Sequence, residues 1–115
     1  MDIEKIQKKL RDFADERDWN QFHDPKNLSM ALSVEVAELV EIFQWSKNGG
    51  IDEIKDPKKR KAIEREIADI FNYLVKIVDL LDMDLERASL DKIEENSKKY
   101  PVKSSKGKSE KYNEL

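Results

Sequence analysis

A helix that turns acids toward its own apolar side sets the tightest limit on what this chain can become. In "EVAELVEIFQW", residues 35–45, the apolar positions recur at helical spacing. At about 100° per residue, Glu35 falls among Leu28, Ala31, Leu39 and Ile42. Glu38 lies about 60° away, near Ala31 and Trp45, and only Glu41 points to the polar side. A small folded chain has to compensate carboxylates placed this way.

The rest of the chain is helical in pattern. Ile3, Ile6, Leu10 and Phe13 predict a first helix from Ile3 to Asp18. The connector "WNQFHDPKN" follows, with Asn27 as the expected N-cap of a second helix over Leu28–Lys47, stopped by "NGG". "IDEIKD" connects to a third helix that opens at Asp56-Pro57 and runs to Leu81; a fourth runs from Asp84 to Lys99. Residues 1–100 form the expected domain. Residues 101–115, "PVKSSKGKSEKYNEL", are polar and mildly basic and are expected to be loosely ordered. No alternating run predicts a strand, and three glycines are few for hairpins. The expected fold is all-α, close to a four-helix bundle.

The third helix repeats the anomaly. In "EREIADIFNYL", Glu66 is flanked by Ile63, Ile70 and Ile77, Asp69 follows at i+3 and Tyr73 extends the stripe. If the two helices pack antiparallel, four carboxylates converge. They cannot all stay ionised there without a counter-charge. An all-oxygen set of this kind suits Mg²⁺, Mn²⁺ or Ca²⁺. The alternative is that these acids lie at helix edges and pair with lysines.

Composition removes other chemistries. The only histidine is His23, too few for the Glu-x-x-His motifs of a di-iron bundle or for a plausible Ser-His-Asp triad. The three glycines cannot form a phosphate-binding loop, and without cysteine there is no disulfide, thiolate site or cysteine nucleophile. Charged residues make up 41% of the chain, yet the net charge is -3, without the basic excess of a nucleic-acid binder. "MDIEKIQKKL" lacks the apolar centre of a signal peptide, and no apolar run approaches bilayer length. The expectation is a soluble cytoplasmic protein with no membrane or nucleic-acid partner.

Glu-x-x-Glu, a spacer and Glu-x-x-Asp together resemble the signature of the MazG-type, all-α nucleoside triphosphate pyrophosphohydrolases. "ERDWNQFHDPKNL" before it, "DKIEENSKKYP" after it and the terminal "KYNEL" are similar to the dCTP pyrophosphatase branch. Here the spacer is shorter than in the vertebrate enzymes, and Ser33-Val34 stands where Val-Gly is common. The resemblance implies Mg²⁺-dependent hydrolysis between the α- and β-phosphates, with Mn²⁺ a possible substitute. It implies Glu35, Glu38, Glu66 and Asp69 as metal ligands, with Glu35 and Glu38 catalytic. It also implies Trp19, His23, Trp45 and Tyr73 at the base and sugar, Asn27, Lys92 and Asn96 as polar groups near the nucleotide, and a homo-oligomer, dimer or tetramer.

Read alone, several of these residues have plainer roles. Lys92 is a surface lysine that shares a helix face with Asn96. Trp19 and Trp45 sandwich a base or fill a core or interface. His23 binds a base or caps a loop, and Tyr73 packs with its hydroxyl on a nearby acid. The competing functions are a pyrophosphohydrolase that prefers dUTP or modified nucleotides, and a non-catalytic interaction domain of the same fold.

Overall fold

The computed structural model describes residues 1–114; Leu115, the last residue of the tail and of "KYNEL", lies outside them. The described residues are helical, without strands: α1 Ile3–Glu16, α2 Pro25–Phe43, α3 Pro57–Leu80, α4 Leu85–Lys99 and α5 Val102–Ser105, with 3₁₀ turns at Asn20–Phe22 and Tyr112–Glu114. They fall into two compact units, Met1–Asp82 and a second that begins at Met83. α1, α2 and α3 share the first unit, and α4 belongs to the second. The tail holds a four-residue helix and a 3₁₀ turn where loose order was expected.

An aspartate starts each long helix. The carboxylates of Asp2, Asp24, Asp56 and Asp84 accept from the backbone N–H of Lys5, Asn27, Lys58 and Arg87 at 3.1, 2.7, 3.1 and 3.0 Å. Each such cap stabilises its helix by about 1 kcal/mol. The cap of α2 is therefore Asp24 rather than Asn27. Pro25 occupies the first helical position, where its missing N–H costs nothing, so α2 begins three residues earlier than expected.

The same helix ends at Phe43, four residues short of Lys47. Ser46 N–H turns back to the Phe43 carbonyl at 2.9 Å, closing the last turn tightly. The chain then passes beneath the Phe43 ring at Gly50 (φ +85°), where any Cβ would collide with that ring. The connector "IDEIKD" forms hydrogen-bonded turns.

In the first unit α2 pairs chiefly with α3, and α1 also packs on α3. Ala14, Leu28, Ile63, Val75 and Val78 are its buried apolar residues, with Leu28 and Val75 sealed almost completely. Arg11 on α1 reaches Asp79 on α3 with both arms of its guanidinium, Nε at 2.7 Å, and this holds Asp79 below the usual carboxylate range. Much apolar surface stays open: Met30, Val34 and Val40 on α2, Ile51 and Ile54 after it, and Ile67 on α3.

Candidate active site

Glu35 and Glu38 on α2 face Glu66 on α3, and carboxylate oxygens of the three lie within 4.8 Å of one another. Farther along α3, Tyr73 and Lys76 share a cavity with Trp19 and His23, which precede α2. The two helices therefore run antiparallel, the arrangement on which convergence depends. Glu35 and Glu66 are half-buried; Glu38 and Asp69 are exposed, so the inward placement expected for all four holds for one acid of each pair. The reason is angular: an i+3 partner stands about 60° away, at the helix edge.

The cluster is electrostatically strained. Burial pushes the Glu35 carboxyl up to about 7, aided by the side chain of Glu38 and the charges of Asp69 and Glu66. Burial also raises Glu66, followed by Glu38 and Asp69, with Glu35 acting in the opposite direction. Oε2 of Glu35 and Oε2 of Glu66 are buried without a hydrogen-bond partner. Among the described residues no lysine or arginine pairs with Glu35, Glu38, Glu66 or Asp69, so the helix-edge ion-pair alternative is not realised. Two orphaned acceptors in an all-oxygen set fit a hard divalent cation. Asp69 stands outside the three-acid group, but its charge is felt by Glu35 and Glu66, and it lines the neighbouring cavity.

That cavity has a volume of about 500 Å³ and is lined by α1 (Lys9, Leu10, Phe13, Ala14), the following turn (Trp19, His23) and α3 (Asp69, Asn72, Tyr73, Lys76). The end of α1 sets its aromatic wall. Asp18 is left-handed (φ 53°), and this lets Asp18 N–H reach the Asp15 carbonyl at 3.1 Å and Trp19 N–H the Ala14 carbonyl at 2.9 Å. Trp19 is thereby brought edge-on to Phe13 (5.7 Å between centroids) and His23 (6.2 Å). Burial and then Lys76 push the His23 imidazole below its ordinary value; its Nδ1 is buried and unpartnered.

Of the expected substrate contacts, Asn27 and Trp45 do not line this cavity, and Lys92 and Asn96 belong to the second unit. Asn27 donates from Nδ2 to the Phe22 carbonyl at 3.0 Å and braces the turn that carries His23; it does not line the cavity. Trp45, beyond the end of α2, is 85% exposed and also does not line it, so no Trp19–Trp45 sandwich forms here. Lys92 and Asn96 lie on α4 in the second unit, where Lys92 pairs with Glu95 at 3.3 Å and the Asn96 carbonyl accepts from Tyr100 N–H at 2.9 Å. Lys9, Phe13, Asn72 and Lys76 were not anticipated. Those on α3 share the phase of Asp69 and Tyr73, which is the signal that would have found them.

The MazG-like family profile matches residues 30–115, about three quarters of the chain. The chain belongs to the MazG-like family. It is 41% identical over 114 residues to dCTP pyrophosphatase 1 of Rattus norvegicus, covering 98% of this chain and 67% of that protein. The Homo sapiens protein of the same name is 40% identical over the same length, with the same coverage. A crystal structure of a pyrophosphatase from Archaeoglobus fulgidus superposes with a TM-score of 0.80 at 38% identity, covering 88% of this chain and 94% of that one. Among the described residues no helix is long and apolar enough to cross a membrane.

Proposed function

We propose that this MazG-like chain is a nucleoside triphosphate pyrophosphohydrolase that takes dCTP or a related deoxynucleoside triphosphate to the monophosphate and pyrophosphate in the cytoplasm. One observation carries the reading: an unpaired acid cluster with two orphaned oxygens beside an aromatic-walled cavity of nucleoside size. The names of the relatives supply the substrate class.

Glu35, Glu38 and Glu66 would hold Mg²⁺, with Asp69 completing the set. Bound there, Mg²⁺ would neutralise phosphate charge and make a coordinated water more acidic. Trp19, Phe13 and Tyr73 give a base flat surfaces to lie on. Asp69 stands at the boundary, contributing to the cavity wall and to the field at Glu35 and Glu66. On this reading the triphosphate lies toward the acids and the nucleoside toward Trp19. Water then attacks the α-phosphorus, the bridging α–β oxygen bond breaks, and pyrophosphate leaves. The Glu35–Glu38 pair would receive the proton from the water.

The test is a panel of triphosphates incubated in ¹⁸O-labelled water with and without Mg²⁺. Pyrophosphate should appear only with Mg²⁺ or Mn²⁺, and the label should be in the monophosphate. Label confined to orthophosphate would mean stepwise phosphatase chemistry.

The protein is proposed to act as a homo-oligomer. Met30, Val34, Val40, Ile51, Ile54 and Ile67 expose more apolar surface than a lone chain this small usually leaves open. Light scattering at micromolar concentration should give a dimer or tetramer; a monomer mass would remove the proposal.

A further inference from the structure

Lys76 is the one half-buried lysine in the cavity wall, two turns of α3 beyond Asp69. Its neighbours leave it unpaired. The two acids that stabilise its charge are Asp79 and Asp15. Asp79 is committed to both arms of Arg11, and Asp15 accepts from the Asn20 side chain. Among the described residues Lys76 makes no ion pair and no side-chain hydrogen bond. Burial accordingly pulls its ammonium below the ordinary lysine value. A lysine in this position usually extends its stem along apolar surface and keeps its head in water. Here Lys76 lines a cavity with Leu10, Phe13, Trp19 and Tyr73.

Position decides what it meets. Glu66 and Asp69 precede Lys76 by ten and seven residues, about 15 and 10 Å along the helix axis. With the reacting phosphate at the acid cluster, the far end of a nucleoside, rather than the triphosphate, comes to Lys76. An ammonium has three donors and no acceptor, so it can bond only to an acceptor on the base. Asn72, one turn back on the same face of α3, offers both a donor and an acceptor beside it.

We propose that Lys76 is a specificity-determining residue whose ammonium donates to a keto oxygen on the edge of a base lying against Trp19 and Tyr73. The proposal rests on the reading that this cavity receives the nucleoside end of the substrate. A base with a keto oxygen, such as cytosine, gains this contact; adenine, which has none, does not. A charge-assisted hydrogen bond formed away from bulk water is among the stronger polar contacts. Its loss leaves a keto oxygen facing an apolar side chain.

The test compares wild type, Lys76→Met and Lys76→Gln. Binding of dCMP and of dAMP is followed by tryptophan fluorescence in the presence of Mg²⁺, together with kcat and KM for dCTP. Lys76→Met should bind dCMP roughly tenfold or more weakly while its affinity for dAMP stays within about twofold. KM for dCTP should rise by a similar factor, with kcat nearly unchanged. Lys76→Gln keeps a donor and should fall between. Unaltered dCMP affinity in Lys76→Met overturns the proposal. So does an equal loss for both nucleotides, which would mark a phosphate contact or a fold defect, and so does a wild type that binds neither. A wild type that favours dCMP through Lys76 but releases no pyrophosphate would sink the pyrophosphohydrolase reading and leave this one standing.

Discussion

Glu38→Gln should lower pyrophosphate release roughly 100-fold or more while leaving the metal-free protein at least as stable as wild type. The amide keeps the shape of the side chain and removes its charge. Glu38 is exposed, and no lysine or arginine pairs with it among the described residues, so no native ion pair is broken. Its carboxylate is instead one of the charges that push Glu35 and Glu66 upward, and removing it relieves them. If Glu38 were half of a structural salt bridge, the amide would cost about 1 kcal/mol or more. The two roles thus predict opposite signs for one easily measured quantity.

The second large effect is on pH. In the metal-free fold the Glu35 carboxyl is raised from 4.5 to about 7. A raised folded-state value means that the folded chain binds the proton more tightly than the unfolded chain does. The stabilisation is therefore complete below about pH 4.5 and is lost as pH climbs through about 7. Glu66 contributes in the same direction. His23, whose value is lowered, contributes with the opposite sign: it favours the fold above its ordinary titration range and opposes it as pH falls. The difference between wild type and Glu35→Gln cancels His23 and leaves the acid cluster's contribution, led by Glu35. Relative to the variant, wild type should lose about 1–2 kcal/mol between pH 4.5 and pH 8, discounted from the full shift because the acids share protons and are partly solvated. That is a relative fall in Tm of several degrees, about 4–8 °C for each kcal/mol. Saturating Mg²⁺ should flatten the difference, since a cation on these oxygens favours their charged form. A parallel pH profile for the two proteins would mean that Glu35 is an ordinary solvated acid.

The cluster was legible in the sequence because helical phase is a strong constraint. Glu35 sits among Leu28, Ala31, Leu39 and Ile42, and Glu66 between Ile63 and Ile70, so both share the apolar side of their helices. Glu38 and Asp69, an i+3 step away, were legible as partners but not as exposed. Phase places a residue to within about 60°, and exposure near a helix edge turns on what packs there. Asn27 was misread because Asn and Asp are both good caps; Pro25, which fits the first turn and so points to Asp24, was the decisive clue. Trp45 follows the last turn of α2, so helical phase ceases to fix its direction at that point. Lys76 carried no motif. Its phase with Asp69 and Tyr73 puts it on the site face, but only the turn after α1, which brings Trp19 and His23 to the same cavity, gives that face a wall. The same holds for α4, whose amphipathic pattern predicts a helix but not the compact unit to which it belongs.

The most direct measurement is a paired set of thermal melts and pyrophosphate-release assays on wild type and Glu38→Gln, each stripped of metal and then given Mg²⁺. A cation that binds only the folded chain must raise Tm. Wild type should show a clear Mg²⁺-dependent rise and the variant a much smaller one, metal-free stability should be equal or higher in the variant, and wild type should release pyrophosphate from dCTP only with Mg²⁺. A variant that is less stable without metal yet still releases pyrophosphate would contradict the metal-site reading of the cluster.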